Sequence, residues 1–239
     1  MAEKKTHKLV AASENGAAKP QPKPAPEVGN ATGLRIGAVV LWAAAIIFEV
    51  LAVLIVFGKI NMTFLPVMWQ LIIMIVLDLA CVIIGAQLWK KANRIKPASE
   101  RNKLKFWLWN NMGVIACIIA FVPIIILMLT NKELDKKTKA IAVAVAAVAL
   151  IIGGLASYDF EPISQEQQQT AMAAIDGQVY WTPYGHVYHT HEDCSHLNQT
   201  DTLTVGSVEQ AIAAGRERLC MTCARRDSID VSGIKTDET

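Results

Sequence analysis

Four side chains near the end of the chain offer the clearest chemistry: His189 and Cys194, followed by Cys220 and Cys223 in a Cys-x-x-Cys pair. Each pair is close enough in sequence to chelate from one local turn. Tetrahedral nitrogen and thiolate ligands suit zinc, and three cysteines with one histidine make a closed structural set. Three cysteines outside the apolar runs also fit a metal site better than a disulfide framework. His191 and His196 are alternative nitrogen donors. Strand alternation places His189 on the same face as Val187, as a buried ligand would lie. A redox dithiol opens a helix behind a strand; here the pair follows a helix, which favours metal over redox chemistry. Glu192 and Asp193 lie near Cys194, but four protein ligands close the site, so the set reads as non-catalytic.

These residues need a scaffold. Val179–Thr182 and His186–His189 are short β-prone runs around Pro183-Tyr184-Gly185, which has the chemistry of a hairpin turn. Ser207-Val208-Glu209-Gln210 is a capping box that starts a helix through Ala214, with Gly215 as its stop. That helix returns the chain to the first ligand pair. A small module of this kind has a marginal apolar core, and a metal adds folding free energy.

The stretches VYWTPYGHVYHTHEDCSHL (179–197) and SVEQAIAAGRERLCMTC (207–223) resemble an Ada-like metal-binding module, of a kind appended to some bacterial nucleases and membrane proteins. The resemblance rests on the hairpin, the Tyr-His before a Cys and Leu, the helix ending in Ala-x-Gly and the closing Cys-x-x-Cys. It implies that His189, Cys194, Cys220 and Cys223 bind zinc. Unlike the four-cysteine DNA-repair domain of that name, this sequence has a histidine in the set, so methyl-accepting repair activity does not carry over.

Ahead of the module the chain is of another kind. Of 239 residues, 53% are hydrophobic, and most of these fall in four runs: Leu34–Phe57, Phe64–Leu88, Phe106–Leu129 and Ala140–Ser157. A helix needs ~20 apolar residues to span a bilayer, and these runs meet or approach that length. Hydrocarbon offers backbone groups no outside partner, so each span is a helix. The expected architecture is an α-helical membrane protein of four transmembrane helices with a small α+β zinc-binding module. Its divisions are a disordered arm (1–33), the spans (34–158), a Gln-rich linker (159–177), the module (178–226) and a disordered acidic tail (227–239). Trp69, Trp89, Trp107 and Trp109 are expected at the interfaces. Pro123 is expected to loosen the third helix, and Gly153-Gly154 to permit close approach in the fourth.

Lysines and arginines crowd the N-terminal arm and the second connection, Lys90 to Lys105, whereas the first connection has only Lys59; the third, with Lys132, Lys136, Lys137 and Lys139, weakens the pattern without reversing it. This bias sets both termini in the cytoplasm of a multi-pass cell-membrane protein. Thiols stay reduced there and available to metal.

Glu49 and Asp78 lie mid-span, where a carboxylate costs ~2.5–3.5 kcal/mol even on the lenient insertion scale. They either line a proton or cation path or act as protonated structural glue, bonded through Gln70 or Asn111. Arg216, Arg218, Arg225 and Arg226 flank the second cysteine pair and could meet phosphate. A net charge of +2 argues against strong global attraction to nucleic acid. The leading expectation is a non-enzymatic membrane protein whose cytoplasmic zinc module presents a surface to a protein partner. The alternatives are a transporter or channel-like assembly using Glu49 and Asp78, and a membrane-tethered nucleic-acid binder.

Overall fold

The computed structural model describes residues 22–60, 64–198, 200 and 202–237. They form two compact units. Among the described residues, one is made of those within Asn30–Asn93 and Arg101–Pro162; the other joins those within 22–29, Arg94–Glu100 and 163–237.

The first unit is helical. Helices α1 (Ala31–Val56), α2 (Val67–Ile95), α4 (Met112–Thr130) and α5 (Lys136–Ser157) are each long and apolar enough to cross a membrane, as a multi-pass membrane protein requires. Asn30 caps α1 by accepting from the N–H groups of Thr32 and Gly33 (3.0 and 3.2 Å). Asp135 caps α5 in the same way through Lys137 and Thr138. The third run departs from expectation. Residues Lys103–Asn110 form a separate short helix, α3, and the long helix begins only at Met112. The break falls at Asn111, whose amide donates to the Trp107 carbonyl and whose side-chain oxygen accepts from the Asp159 N–H. Pro123 sits inside a helix that runs on to Thr130.

Small residues make the packing. Ala31, Ala38, Ala45 and Ala52 recur every seven residues on α1 and all are buried, a spacing that keeps one seam of a helix against its neighbours. On α5 the matching stripe is Ala142, Ala146, Ala149, Gly153 and Ser157. A Cβ at Gly153 would lie 2.8 Å from the Cys117 sulfur, whereas one at Gly154 would meet nothing within 4 Å. Only the first of the two glycines serves close approach. Gly113 is tighter still, with Ala86 Cβ 2.5 Å from the position of an added Cβ. Gly113→Ala is therefore expected to destabilise the bundle by ~1–3 kcal/mol, and Gly154→Ala to be near neutral, as unfolding in detergent would measure.

Three of the tryptophans pack on one another. Trp42, Trp89 and Trp109 stack in series, with centroids 5.4 and 5.1 Å apart. The Arg35 guanidinium lies 5.8 and 5.2 Å from the Trp89 and Trp109 rings, a cation–π arrangement. Trp69 is exposed.

The second unit is mixed. Strand β1 (Lys23–Pro24) pairs in parallel with β4 (Thr204–Gly206), which pairs antiparallel with β2 (Val179–Trp181). A second sheet joins β3 (Val187–Tyr188) in parallel with β5 (Arg218–Leu219). Helices α6 (Gln165–Ala174), α7 (Val208–Ala213) and α8 (Met221–Arg226) complete it. Its core includes Ile163, Val179, Trp181, Tyr188, Ile212 and Leu219.

Several expected boundaries are corrected here. The part of the arm from residue 22 is not a free segment: the Lys23 and Ala25 N–H groups donate to the Leu203 and Val205 carbonyls (2.9 and 2.8 Å). Residues 1–21 lie outside the described residues. The expected linker contributes α6, closed by a second capping box from Ser164 and Gln167, with Ile163 and Ala171 buried. The tail is ordered through Asp237. Ile234 is buried, Thr236 bridges Leu219, and the Leu219 N–H donates to the Lys235 carbonyl at 2.8 Å.

Candidate metal centre

Each ligand position has a local cause. The expected hairpin closes through one antiparallel bridge, in which Tyr180 and His189 exchange both backbone hydrogen bonds (2.7 and 2.8 Å). Alternation then splits β3 between two interiors. Tyr188 is fully buried in the main core, while Val187 packs beside the cysteines. His189 follows on the cysteine side. Cys194 precedes a single 3-10 turn, Ser195–Leu197, whose Leu197 packs in the same cluster.

The capping box at Ser207 and Gln210 forms as expected, with Ser207 Oγ accepting from the Gln210 N–H at 3.2 Å. Gly215 ends that helix at φ 84°, a conformation that favours glycine. Next comes β5, so Cys220 leaves a strand and N-caps α8. This corrects the placement expected directly behind a helix, and with it one argument against a redox dithiol. Burial supplies a better argument. Cys220 and Cys223 are 0 and 1% exposed, and thiol exchange needs access.

His189, Cys194, Cys220 and Cys223 converge, with their ligand atoms all within 4.8 Å of one another. Cys194 Sγ lies 3.9 Å from Cys220 Sγ, and Cys223 Sγ lies 3.8 Å from His189 Nδ1. A tetrahedron built on a metal–sulfur bond of about 2.3 Å has an edge of about 3.8 Å. All four residues are buried. The group could hold a metal ion.

The sulfurs are electrostatically unequal. Hydrogen bonding from Cys220 holds Cys223 down at about 3 against its burial, helped by His189, Cys194 and the Thr190 backbone. Cys220 is pushed up by its bond to Cys223 and by burial. Burial also raises Cys194, partly offset by the His196 backbone. One thiolate is thus favoured before any cation arrives, and a dication would draw protons from the other two thiols.

Around the ligands, a clasp of polar bonds ties the 190–196 loop to α8 and its cap. Asp227 accepts from Thr190 and bonds His191. Arg226 donates to Asp193 at 2.7 Å, and His196 Nε2 is 3.0 Å from the Thr222 hydroxyl. Geometry separates the three histidines: His191 and His196 are engaged in the clasp, and His189 is the one in the converging group that could hold a metal ion. His189→Ala is expected to reduce bound metal to background. His191→Ala should keep the stoichiometry and cost at most ~10–100-fold in affinity, as outer partners of a ligand do. Metal analysis of the purified variants and chelator competition measure both.

The remaining sequence candidates fare differently. Asp193 is exposed and paired, and Glu192 is absent from the converging group. Arg216 donates to the Thr182, Pro183 and Ala214 carbonyls, and Arg226 is spent on Asp193. The arginine cluster thus has less free charge than its spacing suggests. Asp78 is buried in the helical unit and Glu49 half-buried there.

Sequence reasoning missed Glu217. Its side chain is 1% exposed and accepts from Arg94 Nε, with His186 Nδ1 3.6 Å away. A glutamate between two arginines reads as a solvated residue, and its partner is 123 residues distant. No family model, curated protein or solved structure matches the chain.

Proposed function

We propose that this chain is a multi-pass membrane protein whose second unit is an Ada-like module stapled by zinc and held in the cytoplasm, where it presents a folded surface to a protein partner. The observation that carries the reading is the convergence of one histidine and three cysteines, all buried, at distances that suit a tetrahedral ion. Burial of the complete set favours a structural ion over a catalytic one, because a catalytic site keeps a position open. Zinc is the favoured ion on ligand softness and geometry. The cytoplasmic placement rests on the lysines and arginines of the arm and the second connection. Reduced thiols are compatible with it.

The test uses the full chain in cells. A photo-crosslinking residue at Tyr184, which is 88% exposed on the turn between β2 and β3, should give a discrete adduct with one protein. The adduct should vanish in Cys220→Ser, together with bound zinc, and persist in Gly154→Ala. Zinc present without any discrete adduct from this or other exposed module positions would reject the partner surface and keep the staple. Absence of zinc from the purified protein would reject both.

A further inference from the structure

The helical unit contains a second polar feature that the zinc reading leaves unused. Asp78, in the middle of α2, is 3% exposed. Its Oδ1 is buried with no hydrogen-bond partner among the described residues. The two amides expected to serve it bond elsewhere: Gln70 donates to the Leu65 carbonyl at 2.6 Å, and Asn111 to the Trp107 carbonyl at 3.0 Å.

Among the described residues, the titratable groups coupled electrostatically to Asp78 are one acid and two thiols. Glu49 on α1 acts on it electrostatically, and Asp78 in turn acts on Cys81 of its own helix and on Cys117 of α4. Helix α5 has no titratable side chain between Lys139 and Ser157. The pairing of α1 with α2 explains the approach of Glu49. Arg35 donates to Asn93, Gly37 lies beside Leu88, and Trp42 donates to the Val82 carbonyl. Continuing that antiparallel register brings Glu49 within about one helical turn of Asp78. No lysine or arginine lies between Arg35 and Lys59 on α1, before Lys90 on α2, or within α4.

A carboxylate here would be buried, next to another acid and without a cation. Such a group takes up a proton instead of bearing the charge. A merely structural acid would donate that proton to a fixed acceptor, and none is in place for Oδ1.

We propose that Asp78 and Glu49 form an intramembrane proton-binding site, in which two coupled carboxyls on facing helices retain one proton and exchange the other with the medium. On release an O–H bond breaks, the proton passes to a buffer base, and one negative charge stays on the pair. Like-charge repulsion keeps the second proton in place.

The experiment is infrared difference spectroscopy of the full chain in lipid nanodiscs, titrated from acid to alkaline pH in potassium buffer. A protonated-carboxyl band should be present at neutral pH, convert to carboxylate bands as pH rises, and be lost in Asp78→Asn. Glu49→Gln should shift the midpoint of that conversion. A spectrum without a buried-carboxyl band at neutral pH overturns the proposal, since the acid is then ionised. A band that does not respond to pH also overturns it, in favour of fixed structural glue. Sodium-dependent loss of the band at constant pH reassigns the site to a metal cation. Should Asp78→Asn fail to assemble, a hydrophobic carbodiimide, which reacts with protonated carboxyls, should label Asp78 in the unaltered protein, as peptide mapping would show. No label at Asp78 or Glu49 counts against the site. None of these readouts depends on zinc at the second unit.

Discussion

Treating the purified full chain with a zinc chelator is expected, on the proposed staple, to unfold the part of the second unit that carries the His/Cys group while the four long helices stay intact. The reasoning is one of magnitude. A structural zinc ion contributes an apparent ~10–16 kcal/mol in zinc-finger peptides, comparable to the whole stability of a typical domain, ~5–15 kcal/mol. Leu197, Leu203 and the three cysteines form a cluster of their own, with Tyr180 and Val187 packed against it; so few large apolar side chains do little to replace the lost bonds. Hydrogen exchange with mass spectrometry should show residues 186–197 and 216–227 losing protection, with α1, α2, α4 and α5 unchanged. Cys220→Ser should reproduce the effect without chelator. Unchanged protection under both treatments would mean that the fold stands without metal, and the staple would have to be abandoned.

The second large effect is expected at Arg94→Ala. Glu217 is almost completely enclosed, and the Arg94 guanidinium is its hydrogen-bonded cation; its Oε2 has no hydrogen bond among the described residues. Deleting the arginine leaves the buried carboxylate with only the more distant His186 and the charge of Arg216, which costs ~3 kcal/mol, the low end for a broken buried pair. Glu217→Gln alone should cost less, because Arg94 is 24% exposed and can turn its charge toward water. Adding Glu217→Gln to Arg94→Ala should recover most of the loss. Glu217 lies three residues before Cys220, so the arginine variant should also release metal faster. Thermal melting of the second unit and metal-transfer kinetics read the two consequences. Equal stability of Arg94→Ala and the unaltered protein would show that the ion pair is not needed.

Some of this architecture was legible in the sequence because side-chain type reports it directly. Long apolar runs have one solution in hydrocarbon, and all four long helices appear, although Asn111 moves the start of the third. The capping box at Ser207 is a local signal and held. The convergence of His189, Cys194, Cys220 and Cys223 was legible because sulfur and imidazole at chelating spacing have few other uses. What the sequence hid is pairing through the backbone. Lys23–Pro24 joins a sheet by N–H and C=O groups that every residue type except proline supplies in full, so a proline-rich arm reads as unstructured. Thr236 meets Leu219 in the same way. Arg94 and Glu217 look solvated singly and gain meaning only together. The short 94–100 turn carries further bonds of this kind, with the Gln165 N–H donating to the Ala98 carbonyl and Ser99 to Glu166.

The second unit draws on three stretches separated by hydrophobic helices, and this has a consequence for how the protein is made. During synthesis the arm strand emerges first, and Arg94 appears after two helices have been delivered to the membrane. The middle strand of their sheet, Glu217 and all four ligands arrive only when the last helix has been released. A nascent chain thus passes through a stage in which the bundle is inserted and the polar unit is still open, with Arg94 unpaired and the edge of β1 bare. Early termination between residues 158 and 204 would strand the chain at that stage, with all four long helices made but without the unit's central strand. The second unit can therefore be completed only after synthesis has run past all four long helices.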